Sequence, residues 1–222
     1  MPLGNSSVCI YCRTAIADTR DHVPPELLFP PPKPSTLITV PSCRSCNSGF
    51  QKDDEAFAMM LTALIGTNPV GRFIWQRTIA EGLLRRSPRF RDAIGRTLHY
   101  QPYTFPDGHR GYAPALLIER PRILRVLRRI VRGLSWHEYH NCDFPETSVR
   151  VLTEAEIQAL PMAEARRLSA RYGPGVARVI AEGVFEYHHT TAAGRVEDSA
   201  WWLIFYGETR FLATVGDASI VF

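Results

Sequence analysis

Apolar and polar positions change their spacing along the chain, and each spacing predicts a type of element. Apolar residues at helical spacing, with breaks at Gly and Pro, predict helices over 48–65, 69–86, a short stretch after Ser87, 121–134 and 153–171. Runs of β-branched and aromatic residues predict strands over 37–40, 98–105, 112–118, 176–187, 199–206, 211–215 and 218–222. This mixture, with most strands after the first helices, predicts an α+β fold.

The predicted helix over 121–134 has two different faces. Its apolar face carries Ile123, Leu127, Ile130 and Leu134, and its basic face carries Arg122, Arg125, Arg129 and Arg132. Residues 61–140, which contain this helix, have 14 basic and 5 acidic side chains, whereas both flanking segments are net acidic. Because arginine suits bidentate phosphate contact, these four arginines are candidates for binding a nucleic-acid backbone. The alternative is the solvated face of an amphipathic helix.

The composition is that of a folded protein. Of the 222 residues, 45% are hydrophobic, which argues against disorder. No apolar run reaches the roughly 18 residues that a membrane span needs. The first residues show no basic region followed by an apolar core, so we expect a cytoplasmic location and no membrane partner. In a reducing compartment, paired cysteines are more often metal ligands than disulfides.

Two cysteine pairs form the clearest motif. Cys9-x-x-Cys12 and Cys43-x-x-Cys46 each place two thiolates on one turn, and together they can complete a tetrahedral zinc site. A site closed by four protein ligands is structural rather than catalytic. The alternatives are disulfides or unrelated thiols. Cys142 is left over and is predicted to be a small buried side chain.

A second group of residues lies between and beside these pairs. Asp21 and His22 lie within the insert, and Asn47 directly follows the last cysteine of the second pair. Asp21 and Asn47 offer the oxygen donors that Mg²⁺ prefers, and His22 can accept a proton near neutral pH. Each residue also has a structural interpretation, since Asn after a turn often caps a helix. Their joint position inside the cysteine motif favours the metal site.

These segments together resemble the HNH endonucleases of the ββα-metal class. The resemblance covers about residues 8–60 and consists of Cys9-Ile-Tyr-Cys12, Asp21-His22-Val23-Pro24-Pro25, Cys43-Arg-Ser-Cys46-Asn47 and Lys52-Asp53-Asp54-Glu55. It is most similar to the branch with a Cys₄ zinc, which includes the phage junction-resolving endonuclease VII type. The resemblance implies that His22 is the general base and that Asp21 and Asn47 bind a catalytic Mg²⁺ or Mn²⁺. It also implies that the four cysteines bind structural zinc.

One position departs from the family pattern. The family's middle Asn, which orients the base histidine, precedes the strand leading to the second cysteine pair, and this chain has Pro34-Ser35-Thr36-Leu37 there. Thr36 is the candidate substitute, with Ser35 or a backbone carbonyl as alternatives. Lys52 is a candidate for contact with the scissile phosphate, and the alternative is a solvated lysine.

The sequence therefore predicts three segments: a ββα-metal zinc module over 1–65, a basic helical middle over 66–140, and a C-terminal α+β domain over 141–222. The predicted function is metal-dependent hydrolysis of phosphodiester bonds, with double-stranded DNA as the expected partner. The alternative is a zinc module that binds nucleic acid or protein without catalysis. The C-terminal segment is a candidate for homodimer formation or for a regulatory partner. Its aromatic run over 201–206 is predicted to form sheet core rather than a base-stacking surface.

Overall fold

The computed structural model describes residues 8–63, 67–105, 107–116 and 119–216. Its α-helices are α1 (Arg44–Gly49), α2 (Gln51–Thr62), α3 (Pro69–Ile74), α4 (Pro88–Thr97), α5 (Arg120–Tyr139), α6 (Glu154–Gln158) and α7 (Met162–Tyr172). A π-helical segment, Trp75–Leu84, continues α3, and 3₁₀ turns lie at Glu26–Leu28 and Glu146–Ser148. Its strands are β1 (Thr19–Val23), β2 (Ile38–Ser42), β3 (Leu98–Thr104), β4 (Arg110–Leu116), β5 (Val149–Thr153), β6 (Val176–Ala181), β7 (Phe185–Ala192), β8 (Arg195–Phe205) and β9 (Thr209–Val215). The α+β class is confirmed.

The N-terminal elements follow the order strand, strand, helix. β1 and β2 pair in antiparallel fashion, and α1 begins directly after β2. The Cys43 sulfur caps α1 by accepting a hydrogen bond from the backbone N–H of Cys46. Because side chains alternate along a strand, Asp21 is buried whereas its neighbour His22 is half-exposed. This order brings β1, which carries Asp21 and His22, close to α1, which carries Asn47.

The C-terminal elements form a five-stranded antiparallel sheet in the order β5-β9-β8-β7-β6. The single strand predicted over 176–187 is wrong, because Gly183 at φ 68° makes a turn that separates β6 from β7. The single helix predicted over 153–171 is also divided. Pro161 has no backbone N–H with which to continue α6, and it stands directly before the first residue of α7. The capping box that opens α6 at Thr153 is present as predicted.

Helix α5 connects the N-terminal hairpin with the C-terminal sheet. Its apolar residues Leu127, Ile130 and Leu134 are fully buried, and they belong to one hydrophobic cluster that also includes Val23 and Trp201. The helix approaches β1 so closely that a Cβ atom on Gly133 would lie 2.5 Å from a methyl carbon of Val23. Residues from all three predicted segments therefore share one core.

Several boundaries differ from the sequence-based prediction. Helix α5 continues past 134 to Tyr139 and ends where His140 adopts a left-handed conformation at φ 51°. The helix predicted over 48–65 is two helices, α1 and α2, and residues 64–65 lie outside the described part, as do 117–118 and the strand predicted over 218–222. Trp201, Phe205 and Tyr206 are buried in the core as predicted, whereas Trp202 of the same run is 37% exposed and does not belong to the core. Within the described ranges, no helix is both long and apolar enough to cross a membrane.

Candidate metal centre and active-site cleft

The four paired cysteines form one cluster. The sulfur atoms of Cys9, Cys12, Cys43 and Cys46 all lie within 4.8 Å of one another. The first pair precedes β1 and the second lies at the junction of β2 and α1, so the pairing of these two strands brings the ligands together. Four cysteine sulfurs in one cluster are a ligand set suited to zinc. The cluster can therefore hold a metal ion such as zinc.

The disulfide alternative is wrong, because all five cysteines are free. The sulfur atoms of Cys12 and Cys43 are 3.9 Å apart, nearly twice the length of about 2.05 Å that an S–S bond requires. Cys142 lies outside the cluster, and its sulfur is 3.8 Å from the carbonyl oxygen of Ile10. Burial raises the pKa of the Cys142 thiol, as expected for a small side chain in the interior.

The thiol pKa values in the cluster shift in opposite directions. Hydrogen bonds from the backbone N–H groups of Thr14 and Ala15 lower the pKa of Cys12 to about 6. Burial, together with the neighbouring sulfurs Cys43, Cys9 and Cys12, raises the pKa of Cys46. A cluster that stabilises one thiolate resists forming the next, because the negative charges repel. A bound divalent cation removes that repulsion, so the donor set fits a zinc ion.

Beside this cluster lies an open cleft of about 510 Å³ between β1, the 3₁₀ turn that follows it, and helices α1 and α2. Asp21, His22 and Asn47 all line it. Further lining side chains include Glu26, Arg44, Asp54 and Glu55. Four carboxyl groups and one guanidinium therefore face the cleft, a charge distribution that favours a cation.

Asp21 and Asn47 each keep one side-chain oxygen that accepts no hydrogen bond from the described residues. The amide nitrogen of Asn47 donates to the carbonyl oxygen of Arg20 at 3.0 Å and to the Thr19 hydroxyl at 3.3 Å. These bonds attach α1 to β1, and they leave the Oδ1 atom of Asn47 unused. In Asp21, Oδ2 accepts the Tyr11 hydroxyl at 2.7 Å, and Oδ1 has no hydrogen-bond partner. Carboxylate and amide oxygens are ligands that Mg²⁺ accepts.

A buried guanidinium lies behind Asp21. Arg129 of α5 has a side chain that is 5% exposed, and its NH2 group is 2.6 Å from Asp54 Oδ1. Its Nε atom lies 3.5 Å from Asp21 Oδ2, which is an ion contact rather than a hydrogen bond. The guanidinium also stacks over Phe50, with its Cζ 4.3 Å from the ring centroid. A single residue of α5 therefore neutralises two carboxylates of the N-terminal module.

Asp54 has an unusual ionisation equilibrium. Burial, together with the nearby charges of Asp21 and Asp53, raises the pKa of this carboxyl group to about 6, although Arg129 lowers it. The desolvation of a buried carboxylate thus outweighs its ion pair with Arg129. This carboxyl changes charge at the edge of the physiological pH range.

The group beside His22 is not the one that the sequence suggested. Glu26 Oε2 lies 3.7 Å from His22 Nδ1. The Thr36 hydroxyl donates to the carbonyl oxygen of Ile180 at 2.7 Å and is not among the residues that line the cleft. The assignment of Thr36 as the residue that orients His22 is therefore corrected, because Thr36 does not line the cleft and its hydroxyl is directed to β6. Lys52 is exposed on the first turn of α2 and outside the cleft lining.

The basic face predicted for α5 is also corrected. Arg129 and Arg132 are buried, and Arg132 donates to the carbonyl oxygens of Ile10 and Tyr11. Arg122 and Arg125 form ion pairs with Asp53 at 3.0 and 2.9 Å. All four arginines thus bind the N-terminal module, so this face of α5 does not lie free for phosphate contact.

Sequence reasoning missed three residues that surround the predicted triad. Tyr11 stands between the two cysteines of the first pair, Glu26 follows His22 by four residues, and Asp54 follows Asn47 by seven. The spacing of Asp54 gave no signal of its own, because Asn47 lies on α1 and Asp54 on α2. The contacts of Tyr11 and Glu26 depend on the fold of a loop.

Comparison with protein-family models, with curated proteins and with solved structures found no match. The likeness to HNH endonucleases therefore rests on the motif residues of the sequence alone.

Proposed function

We propose that this protein is a metal-dependent endonuclease of the HNH type that hydrolyses phosphodiester bonds of double-stranded DNA. The observation that carries the proposal is the common cleft lined by Asp21, His22 and Asn47. Three residues from two separate sequence segments line it, and they are the residues that the motif pattern selects. The adjacent four-cysteine cluster supports the proposal, because zinc bound there would hold the ends of both segments together.

Asp21 and Asn47 would hold the divalent metal through their unused oxygens. A bound Mg²⁺ or Mn²⁺ stabilises the negative charge that develops on the phosphate and on the leaving oxygen. The remaining carboxylates of the cleft add to its attraction for a cation. The hydrogen bonds of Asn47 to β1 and the contact of Asp21 with Tyr11 fix both ligands before the metal binds.

His22 would accept the proton of the attacking water. Its half-exposed ring borders the cleft, so a water molecule can approach it. Glu26, at 3.7 Å from Nδ1, is placed to hold the proton on that nitrogen, which leaves Nε2 as the acceptor. We therefore assign to Glu26 the positioning role that the family gives to its middle Asn.

The test is cleavage of a supercoiled plasmid by the zinc-loaded protein with Mg²⁺ or Mn²⁺. We expect His22→Ala to lower the rate on the order of 10²- to 10⁴-fold, the contribution typical of a general base. His188→Ala is the matched control, because His188 is an exposed histidine on β7, outside the lining of the cleft. Glu26→Gln should lower the rate less than His22→Ala, because the ring keeps a polar neighbour and loses only its charge.

The alternative function is a zinc module that binds nucleic acid or a protein without cutting. It is favoured by one observation, the use of the Thr36 hydroxyl by Ile180 at the position where the family carries Asn. Equal inactivity of the unchanged protein and of His22→Ala, over several nucleic acids and both metals, would refute the nuclease proposal and favour this alternative.

A further inference from the structure

The arginines of the middle segment fall into two groups. The arginines of α5 form ion pairs or hydrogen bonds with other parts of the protein. Arg120 pairs with Glu156, and Arg128 donates to the Val149 carbonyl. The other four bind the N-terminal module: Arg122, Arg125, Arg129 and Arg132. Such arginines are already neutralised or buried, so they add little to an external field. A surface that attracts a polyanion must therefore lie elsewhere.

The second group lies on what we call the arm, residues 85–105 and 107–116, which comprise α4 and the β3–β4 hairpin. The arm carries six arginines and two aspartates, so its net charge of +4 equals that of the whole chain. Five of these arginines are exposed, and within the described residues their side chains have no ion pair or hydrogen bond: Arg85, Arg89, Arg91, Arg96 and Arg110. The charge excess of this protein is thus concentrated on one continuous segment.

The hairpin of the arm exposes aromatic side chains. Among the strands that the structure describes, β3 and β4 pair only with each other, so they form a two-stranded ribbon. Tyr100 and Tyr112 are 67% and 71% exposed, and the register puts both on the ribbon face that also carries Leu98 and Arg110. On the opposite face Ala113 is 3% exposed, whereas His99 and Gln101 are exposed. The face that carries Tyr100, Tyr112 and Arg110 is therefore the aromatic, basic face of the ribbon.

The shape of the ribbon fits a duplex groove. Two strands about 4.8 Å apart, each with seven residues at about 3.4 Å, form a ribbon about 24 Å long. The major groove of B-form DNA, about 12 Å wide, admits a two-stranded ribbon, whereas the deep and narrow major groove of A-form RNA does not. Arg89 and Arg96 are seven residues apart, so they share one face of α4 and can contact phosphates beside such a groove.

We propose that the arm is the docking surface for double-stranded DNA, with the β3–β4 ribbon in the major groove and the α4 arginines on the phosphate backbone. The inference deepens the proposed nuclease function, since it names the surface that would hold the substrate. It does not depend on catalysis, because binding is measurable without cleavage.

The test measures binding of a fluorescent DNA duplex to the zinc-loaded full chain by anisotropy, without added Mg²⁺ or Mn²⁺, over a range of salt concentrations. Each phosphate contact contributes about 0.9 to the slope of log Kobs against log salt, so Arg89→Gln/Arg96→Gln should lower the slope by about 1.8. The matched control is Arg166→Gln/Arg210→Gln, which removes from α7 and β9 two exposed arginines whose side chains have no partner among the residues described. We expect the control to keep the slope of the unchanged protein.

A second pair of measurements tests the ribbon. Tyr100→Ala/Tyr112→Ala should weaken duplex binding without changing the salt slope, because it removes contact area and no charge. Duplex DNA should bind more tightly than duplex RNA or single-stranded DNA of the same sequence. Circular dichroism and thermal unfolding of each variant establish that it is folded, which the exposure of all four arm positions leads us to expect.

Three results would overturn the inference: no DNA binding by the unchanged protein, the same loss of slope in the control as in the α4 variant, or tighter binding to RNA or to single strands.

The nuclease proposal and the docking-surface proposal can fail separately. Arm-dependent DNA binding without cleavage refutes the nuclease and leaves the docking surface. Cleavage that depends on His22, with unchanged affinity in the arm variants, refutes the docking surface and leaves the nuclease.

Discussion

Arg129 neutralises two carboxylates beneath the cleft, and replacing it with methionine tests whether this charge holds the N-terminal module on α5. Methionine keeps much of the side-chain volume over Phe50 but removes the ion pair with Asp54 at 2.6 Å and the contact with Asp21. Removal of one partner from a buried ion pair leaves an uncompensated charge, which costs about 3–5 kcal/mol. We expect Arg129→Met to lower the free energy of unfolding by that amount at about pH 8.

The pH dependence of this loss follows from Asp54. Its folded pKa of about 6 lies above the ordinary value of 3.8, so its contribution to stability is present at low pH and is lost as the pH rises through about 6. Without Arg129 the folded pKa of Asp54 rises further, because the guanidinium is one of the groups that lower it. The destabilisation by Arg129→Met should therefore be smaller at about pH 6 than at about pH 8.

The measurement is urea unfolding of the zinc-loaded protein, followed by circular dichroism at both pH values. Arg125→Met is the matched control, because Arg125 lies one turn away on α5, its side chain is 52% exposed, and its partner Asp53 keeps a second ion pair with Arg122. An exposed pair of this kind contributes at most about 1 kcal/mol. Equal losses in the two variants, or a loss in Arg129→Met that is the same at both pH values, would contradict the reasoning.

Two further predictions concern packing and the metal cluster. Gly133→Ala should destabilise the protein by about 1–3 kcal/mol, because the added Cβ would lie 2.5 Å from a Val23 methyl carbon. Gly95→Ala on α4 is the control: its added Cβ meets no atom within 4 Å, so it should stabilise the protein by about 0.5–1 kcal/mol. Thermal unfolding compares the two variants, and a Gly133→Ala variant that is no less stable than Gly95→Ala would be inconsistent with the close helix–strand contact. Elemental analysis should find one zinc ion per chain. Cys12→Ser should lower this zinc content and Cys142→Ser should leave it unchanged, because only Cys12 contributes a sulfur to the cluster. Equal zinc contents in both variants would count against the site.

Local motifs were predictable because their chemistry is contained in short segments. Each Cys-x-x-Cys turn fixes two sulfurs by itself, so the cluster of four needed only the pairing of β1 with β2. The capping box at Thr153 and the apolar face of α5 were equally local, and both are present. The turn at Gly183 was missed because β-branched residues continue on both sides of it.

The roles of the charged residues depended on distant contacts. The spacing of the α5 arginines identified one helix face, but periodicity does not say whether water, phosphate or protein covers that face. Asp53 and Asp54, more than seventy residues earlier in the chain, cover it. Likewise, Thr36 was predicted to orient His22 from its place in a motif, but its hydroxyl donates a hydrogen bond to the Ile180 carbonyl of β6.

The sequence by itself determined the α+β class, the four-cysteine motif and the candidate residues Asp21, His22 and Asn47, because these depend on residue type and short spacing. The tertiary structure decided which charges are free. It binds four arginines of α5 to the N-terminal module, places Glu26 beside His22, and leaves the arginines of the arm exposed. The physical reason is that a charge is neutralised by whatever group lies within a few ångströms of it, and folding brings such groups together regardless of their separation along the chain.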